Sequence, residues 1–162
     1  MGDHGAGKNL IFDNEHIELQ DNGYYRIYMG EDEKELLTVL TSQARHLILK
    51  DDPATKRLFP PAHMEGGKYE DEYREMAGNE LKVSHLDALN LLESTATKDY
   101  ISREELERWL SAVEILRLLL GTKLAITEDM DYDSSDVMED PQMALYHYLT
   151  WLQDKMVIAL MG

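Results

Sequence analysis

Apolar side chains recurring every three or four residues constrain this chain more than any other feature. The run Leu106, Trp109, Leu110, Val113, Leu116 and Leu120 keeps one face apolar, because residues so spaced share a side at 3.6 residues per turn. Ser102 stands three residues before Glu105, the spacing at which each side chain satisfies a backbone N–H of a helix's first turn. The "ILRLLLG" that follows is apolar on nearly every side, which predicts the central helix of a bundle.

Three more segments carry the same period. Asp32 is a candidate cap, with acids behind it where the helix dipole favours them. Leu36, Leu37, Leu40, Ala44, Leu47 and Ile48 then form one face. "DDPATKRLFPPA" ends that helix, since Pro53, Pro60 and Pro61 cannot continue its interior. A second helix spans "YEDEYREMAGNELKVSHLDALNLLES". Tyr69, Tyr73 and Met76 line one side, Gly78 is a point of kinking or division, and Leu81, His85, Ala88 and Leu92 resume the spacing. A last helix starts at Asp140-Pro141, a cap followed by a first-turn proline. It carries Leu145, Leu149, Leu152, Met156 and Leu160, with Tyr148 and Trp151 on its flank.

Ahead of the helices, Ile17 and Leu19 alternate with polar residues, Asp21-Asn22-Gly23 supplies a turn, and Tyr24 to Tyr28 is aromatic and β-branched. That pattern predicts a hairpin over about residues 10–29. The expected fold class is mainly α: a four- to five-helix bundle-like domain with a small N-terminal β-hairpin. Residues 1–9 read as a tail and 10–162 as a single helical domain. Strands never alternate with helices, which argues against a parallel α/β sheet.

Composition narrows the function. A net charge of −16 disfavours direct nucleic acid binding, because phosphate neutralisation by basic side chains supplies most of that affinity. The one cluster of bases, Arg45, His46, Lys50, Lys56 and Arg57, is interrupted by Asp51 and Asp52. A protein partner with a basic face fits the charge better, and a homo-oligomer stays open. With no cysteine in the chain, a disulfide, a thiolate zinc site and a cysteine nucleophile are excluded. Oxidant sensing would fall to methionine or a cofactor, and no cofactor is expected. No apolar run reaches bilayer-spanning length. "MGDHGAGKNL" lacks the basic start and apolar block of a signal peptide, so the cytoplasm is the expected location.

Candidate sites are few. Seven carboxylates fall between Glu128 and Asp140. Asp129, Asp131, Asp133 and Asp140 take positions one, three, five and twelve of a calcium-loop pattern. Ser134 replaces the glycine of position six, Asp136 stands where an apolar residue is usual, and Asp140 is shorter than the usual glutamate. A solvated acidic connector is the ordinary reading; a calcium-responsive protein using 128–140 is the alternative. "GDHGAGKN" nearly spells a phosphate-binding loop, but no strand precedes it and Asn9 replaces the hydroxyl residue. Arg117 in the apolar run is expected to pair with Glu114 or to snorkel to solvent, with a binding role as the alternative. Gly121 is expected to admit a close helix, at Trp151, with a cofactor seat there as the alternative. Tyr148 and Trp151 are core residues or partner contacts. His85 and His147 read as core-edge residues, and no HExxH or di-metal ExxH pattern occurs. Nothing pairs acids in a cleft, so an enzyme with a carboxylate site is the remaining alternative to a non-enzymatic protein.

At "LRLLLGTKLAITED" and "ALYHYLTWLQDKMVIAL" the chain resembles an actinobacterial domain-of-unknown-function family. Some of its members carry the name oxidative-stress transcriptional regulator AosR. The order of hairpin, leucine-rich helix, "DDPATKRLFPPA", capped helix and "YLTWLQ" also matches, over most of Tyr24 to Leu160. The resemblance implies a regulator of transcription under oxidative stress, acting through a protein partner such as a sigma factor. A thiol switch cannot carry over to a chain without cysteine.

Overall fold

The computed structural model describes residues 16–59, 67–124 and 140–162. The hairpin is β1 (Ile17–Leu19) and β2 (Tyr25–Ile27), antiparallel, with Ile17 opposite Ile27 and Leu19 opposite Tyr25. Gly23 turns the chain with a φ of 90°, a conformation that suits glycine. A third strand, β3 (Tyr100–Ile101), pairs antiparallel with β2 and places Ile101 opposite Tyr25. The sequence predicted two strands; two residues are too few to show a period of two, and their pairing is long-range. Ile17, Tyr25, Ile27 and Ile101 point into the core and Arg26 and Tyr100 away from it.

Helix α1 (Glu31–Leu49) starts one residue before the predicted cap. Gly30 is the N-cap, without a side-chain bond, and Asp32 sits in the first turn beside Glu31 and Glu33. Past α1 the chain makes a 3-10 helix, Pro53–Leu58, capped by Asp52, whose carboxylate accepts from the Ala54 N–H. Its Leu58 enters the core. Helix α2 (Lys68–Thr95) runs unbroken through Gly78. Arg45 on α1 reaches across to Asn90 (2.9 Å) and Glu93 (2.5 Å) on α2.

Helix α3 (Arg103–Lys123) has the capping box that Ser102 and Glu105 predict. It packs against α1, α2, the 3-10 helix and the last helix, α4 (Pro141–Met161), so it is the central element. Leu106, Trp109, Ala112, Val113, Ile115 and Leu116 are buried along it. Each large apolar side chain buried there contributes roughly 1.5–3 kcal/mol. The Trp109 indole N–H donates to Thr95 Oγ1 at 2.6 Å, which satisfies the one polar atom of that side chain inside the core. Arg103 ties three elements together, donating to the Tyr25 hydroxyl (3.2 Å) and to the Leu160 carbonyl at the end of α4 (3.0 Å). Among the described residues no helix is long and apolar enough to cross a membrane.

Candidate functional site

The residues singled out in the sequence fall into two places. Arg117 and Gly121 meet α4 at Tyr146. Arg117 Nη1 donates to the Tyr146 hydroxyl at 3.1 Å and its guanidinium lies 5.7 Å from that ring. Its partner is therefore a tyrosine on the neighbouring helix, and among the described residues no ion pair joins it to Glu114. Gly121 is a point of close approach, but to Tyr146 rather than Trp151. A β-carbon at Gly121 would stand 3.2 Å from Tyr146 Cε1. The helical twist decides this, because Tyr146 and Trp151 point to different sides of α4.

Tyr148 and Trp151 belong to the second place, where β1, α1 and α4 converge. The buried Tyr148 hydroxyl donates to Glu33 Oε2, and the same oxygen lies 2.8 Å from Nε2 of buried His16. Trp151 packs its ring edge-on against His16, with centroids 5.0 Å apart. Burial, and then the negative charge of Glu33, holds the Tyr148 phenol protonated well above the ordinary range. Tyr148 is thus a core residue in this chain. Sequence reasoning missed His16 and Glu33 here. Glu33 is one of three acids in a first turn, and nothing local separates it from Glu31 and Asp32.

Asp140 caps α4, its Oδ1 accepting from the Gln142 N–H at 2.9 Å. Asp129, Asp131 and Asp133, like the near phosphate loop at Gly2 to Asn9, lie outside the described residues. Among the described residues no three His, Asp or Glu side chains gather to hold a metal ion.

Two surface features remain. The first is the N-terminal half of α2. From Tyr69 to Asp87 no side chain is buried, and the core face begins at Ala88. Tyr69, Tyr73, Met76 and Val83 are 87, 73, 62 and 58 per cent exposed. At about 100° per residue they share a sector roughly 80° wide, a stripe of apolar surface facing water. Glu70 flanks it on one side, Glu72 and Glu75 on the other, and Glu80 sits within it. Arg74 is drawn to Glu70 (3.5 Å) and Asp71 (3.6 Å). The sequence shows this stripe as one side of an amphipathic helix; only the structure shows that among the described residues this side stays exposed.

The second feature is a pair of adjoining depressions between α2 and α3 that share Arg108 and Ser111. The larger, about 1030 Å³, is walled by acids including Asp87, Glu104, Glu105 and Glu107. Two of them, Glu105 and Glu107, are already engaged with neighbours. Glu105 accepts from the Ser102 N–H at 2.8 Å and pairs with Lys98 at 3.4 Å. The backbone bond first, and then Lys98, holds its carboxyl below the usual range, the reverse of what a general acid needs. Glu107 pairs with Arg103 at 3.5 Å. The smaller recess, about 480 Å³, has the opposite character, with Arg57 and Arg108 on its walls.

A family model described as Domain of unknown function (DUF2017) matches residues 15–160. The chain belongs to the DUF2017 family. The match takes in the three-stranded sheet, the helices and both surface features, so in this DUF2017 protein they lie within the family's domain. No curated protein matches the chain, and no solved structure does.

Proposed function

We propose that this DUF2017 protein is a non-enzymatic interaction protein whose α2 stripe receives a basic amphipathic helix of a protein partner. The carrying observation is the exposed run Tyr69, Tyr73, Met76 and Val83 with acids along both its borders. An apolar seam rimmed by one sign of charge fits a helix with apolar knobs and basic flanks. A second copy of this chain fits it poorly. Between Tyr69 and Val83 stand five acids and two bases, and two such stripes laid together would oppose like charges in a molecule already at −16. The resemblance of "LRLLLGTKLAITED" and "YLTWLQ" to proteins named as oxidative-stress regulators supports a transcription protein, such as a sigma factor, as that partner. Control would then pass through protein contact, since the acidic surface is poorly suited to duplex phosphates.

The test compares the parent chain with the double variant Tyr73→Ser, Met76→Ser. The retained protein, identified by mass spectrometry, is expected to be a transcription protein with a basic helix. Its affinity should fall about tenfold or more in the variant. Equal retention by parent and variant, or a dimer that the variant abolishes in sedimentation equilibrium, would overturn the reading. So would retention of the chain alone on duplex DNA at physiological salt.

A further inference from the structure

The exposed face of α2 does not stop at Val83. Glu80 fills the gap between Met76 and Val83, and Asp87, Asn90 and Ser94 carry the spacing on. From Tyr69 to Ser94 the steps alternate strictly between four residues and three. That alternation averages 3.5, the repeat with which one helix keeps a single line of contact along another in a left-handed coil. At about 100° per residue the whole series stays within a sector roughly 100° wide. Every member of it is exposed, while Leu89 and Leu92 bury the other side of the helix. The seam is about 37 Å long.

Two of its positions carry charge. Glu80 and Asp87 stand seven residues apart, so they lie on one line about 10.5 Å from each other along the axis. Neither makes an ion pair or a hydrogen bond among the described residues. Bases on the same helix are turned elsewhere, Arg74 to Glu70 and Asp71, and Lys82 to Asp51 at 3.1 Å. From Asp87 onward the seam is one wall of the larger depression, and Glu104 and Glu107 of α3 stand on the other. Asn90 on that stretch gives its amide oxygen to Arg45 at 2.9 Å and keeps its amide hydrogens to donate. A helix laid along the seam would cover both carboxylates. An apolar side chain over either one would strip it of water and leave it unpaired, which selects against such a helix. A basic side chain at each of the two places pairs them instead.

We infer that the seam from Tyr69 to Ser94 receives its partner helix as a coiled coil, and that Glu80 and Asp87 select that helix by two basic residues seven positions apart among its apolar contacts. This rests on the α2 stripe as the docking surface proposed above, and adds the partner's repeat, its length and the two residues that fix its register. A second copy of this chain lacks the pattern, since its own seam offers acids at those places.

The test titrates the full chain, by calorimetry, with synthetic helices of about 26 residues, the length of the seam. The probe carries leucine opposite Tyr69, Tyr73, Met76 and Val83 and lysine opposite Glu80 and Asp87, and is made with the pattern in each chain direction. One comparator has the same composition with the two lysines moved to its outward face; another has glutamate in their place. The probe should bind about tenfold more tightly than either. Glu80→Gln and Asp87→Gln should each weaken it about fivefold, while Glu114→Gln on α3 leaves its affinity unchanged. The double variant Glu80→Lys, Asp87→Lys should reverse the order and prefer the glutamate helix, a gain that damage to the fold would not produce. Equal binding of probe and moved-lysine comparator, or indifference to both glutamine variants, would overturn the register and leave the stripe standing. Probe binding that ignores Tyr73→Ser, Met76→Ser would overturn the stripe reading, and this inference with it. No binding of the probe in either direction would overturn the seam, and the stripe would then stand on the partner captured in its own test.

Discussion

The hydroxyl of Tyr148 donates to a carboxylate that also faces His16, in a place largely closed to water. Removing that donor leaves a mostly buried carboxylate short of one bond, which costs more than an ordinary exposed contact. Tyr148→Phe is therefore expected to lower unfolding free energy by about 1–3 kcal/mol in urea titration. Affinity for a partner on the α2 stripe should not change, because Tyr148 lies on α4 beneath β1 and α1. A residue serving as a partner contact would give the opposite split. The role of Tyr148 as core was one of two readings open in the sequence. Its bond to Glu33 was not legible at all, since the two residues are 115 positions apart and helix periodicity reports burial, not partners.

Among the elements, α3 is the one most completely written in its own residues. Ser102 Oγ accepts from the Glu105 N–H at 3.1 Å and Glu105 accepts from the Ser102 N–H at 2.8 Å. The box closes at the spacing read from sequence. Ser102→Ala is expected to cost about 1 kcal/mol. Glu105→Gln tests the charge. Its folded carboxyl is held below the ordinary range, so its stabilisation is complete above that range and is lost as pH falls through the lowered folded value. The parent should thus exceed Glu105→Gln in stability at neutral pH, and their thermal midpoints should converge in acid. Helix α2 makes the contrast. Tyr69, Tyr73 and Met76 have the period of a packed face, yet they meet water, because no element lies alongside the first half of that helix among the described residues. The period says that a face exists; what covers it is a matter of where other elements run.

For the whole molecule, a charge of −16 sets a self-repulsion that the ion pairs offset only in part. Many of these pairs involve an exposed partner, such as Lys82 with Asp51 and Arg103 with Glu107, and exposed pairs contribute little. Added sodium chloride is expected to raise the unfolding free energy by on the order of 1 kcal/mol from low to physiological ionic strength, and the urea midpoint with it, as screening weakens the repulsion. A midpoint that falls with salt would mean that the pairs outweigh the repulsion. By itself, the sequence determined the helical class, the hairpin turn at Gly23, the box at Ser102, the cap at Asp140 and the central place of α3. Each follows from residues within about two turns of one another, where backbone geometry and solvation act locally. The tertiary structure alone decided that Tyr100 and Ile101 extend the sheet, that Tyr146 rather than Trp151 abuts Gly121, and that Glu33 joins His16 and Tyr148. It alone put Arg57 and Arg108 on one recess, whose lining holds Glu114 as its one acid. Those outcomes depend on how elements cross, and a crossing is fixed by the packing of all faces together.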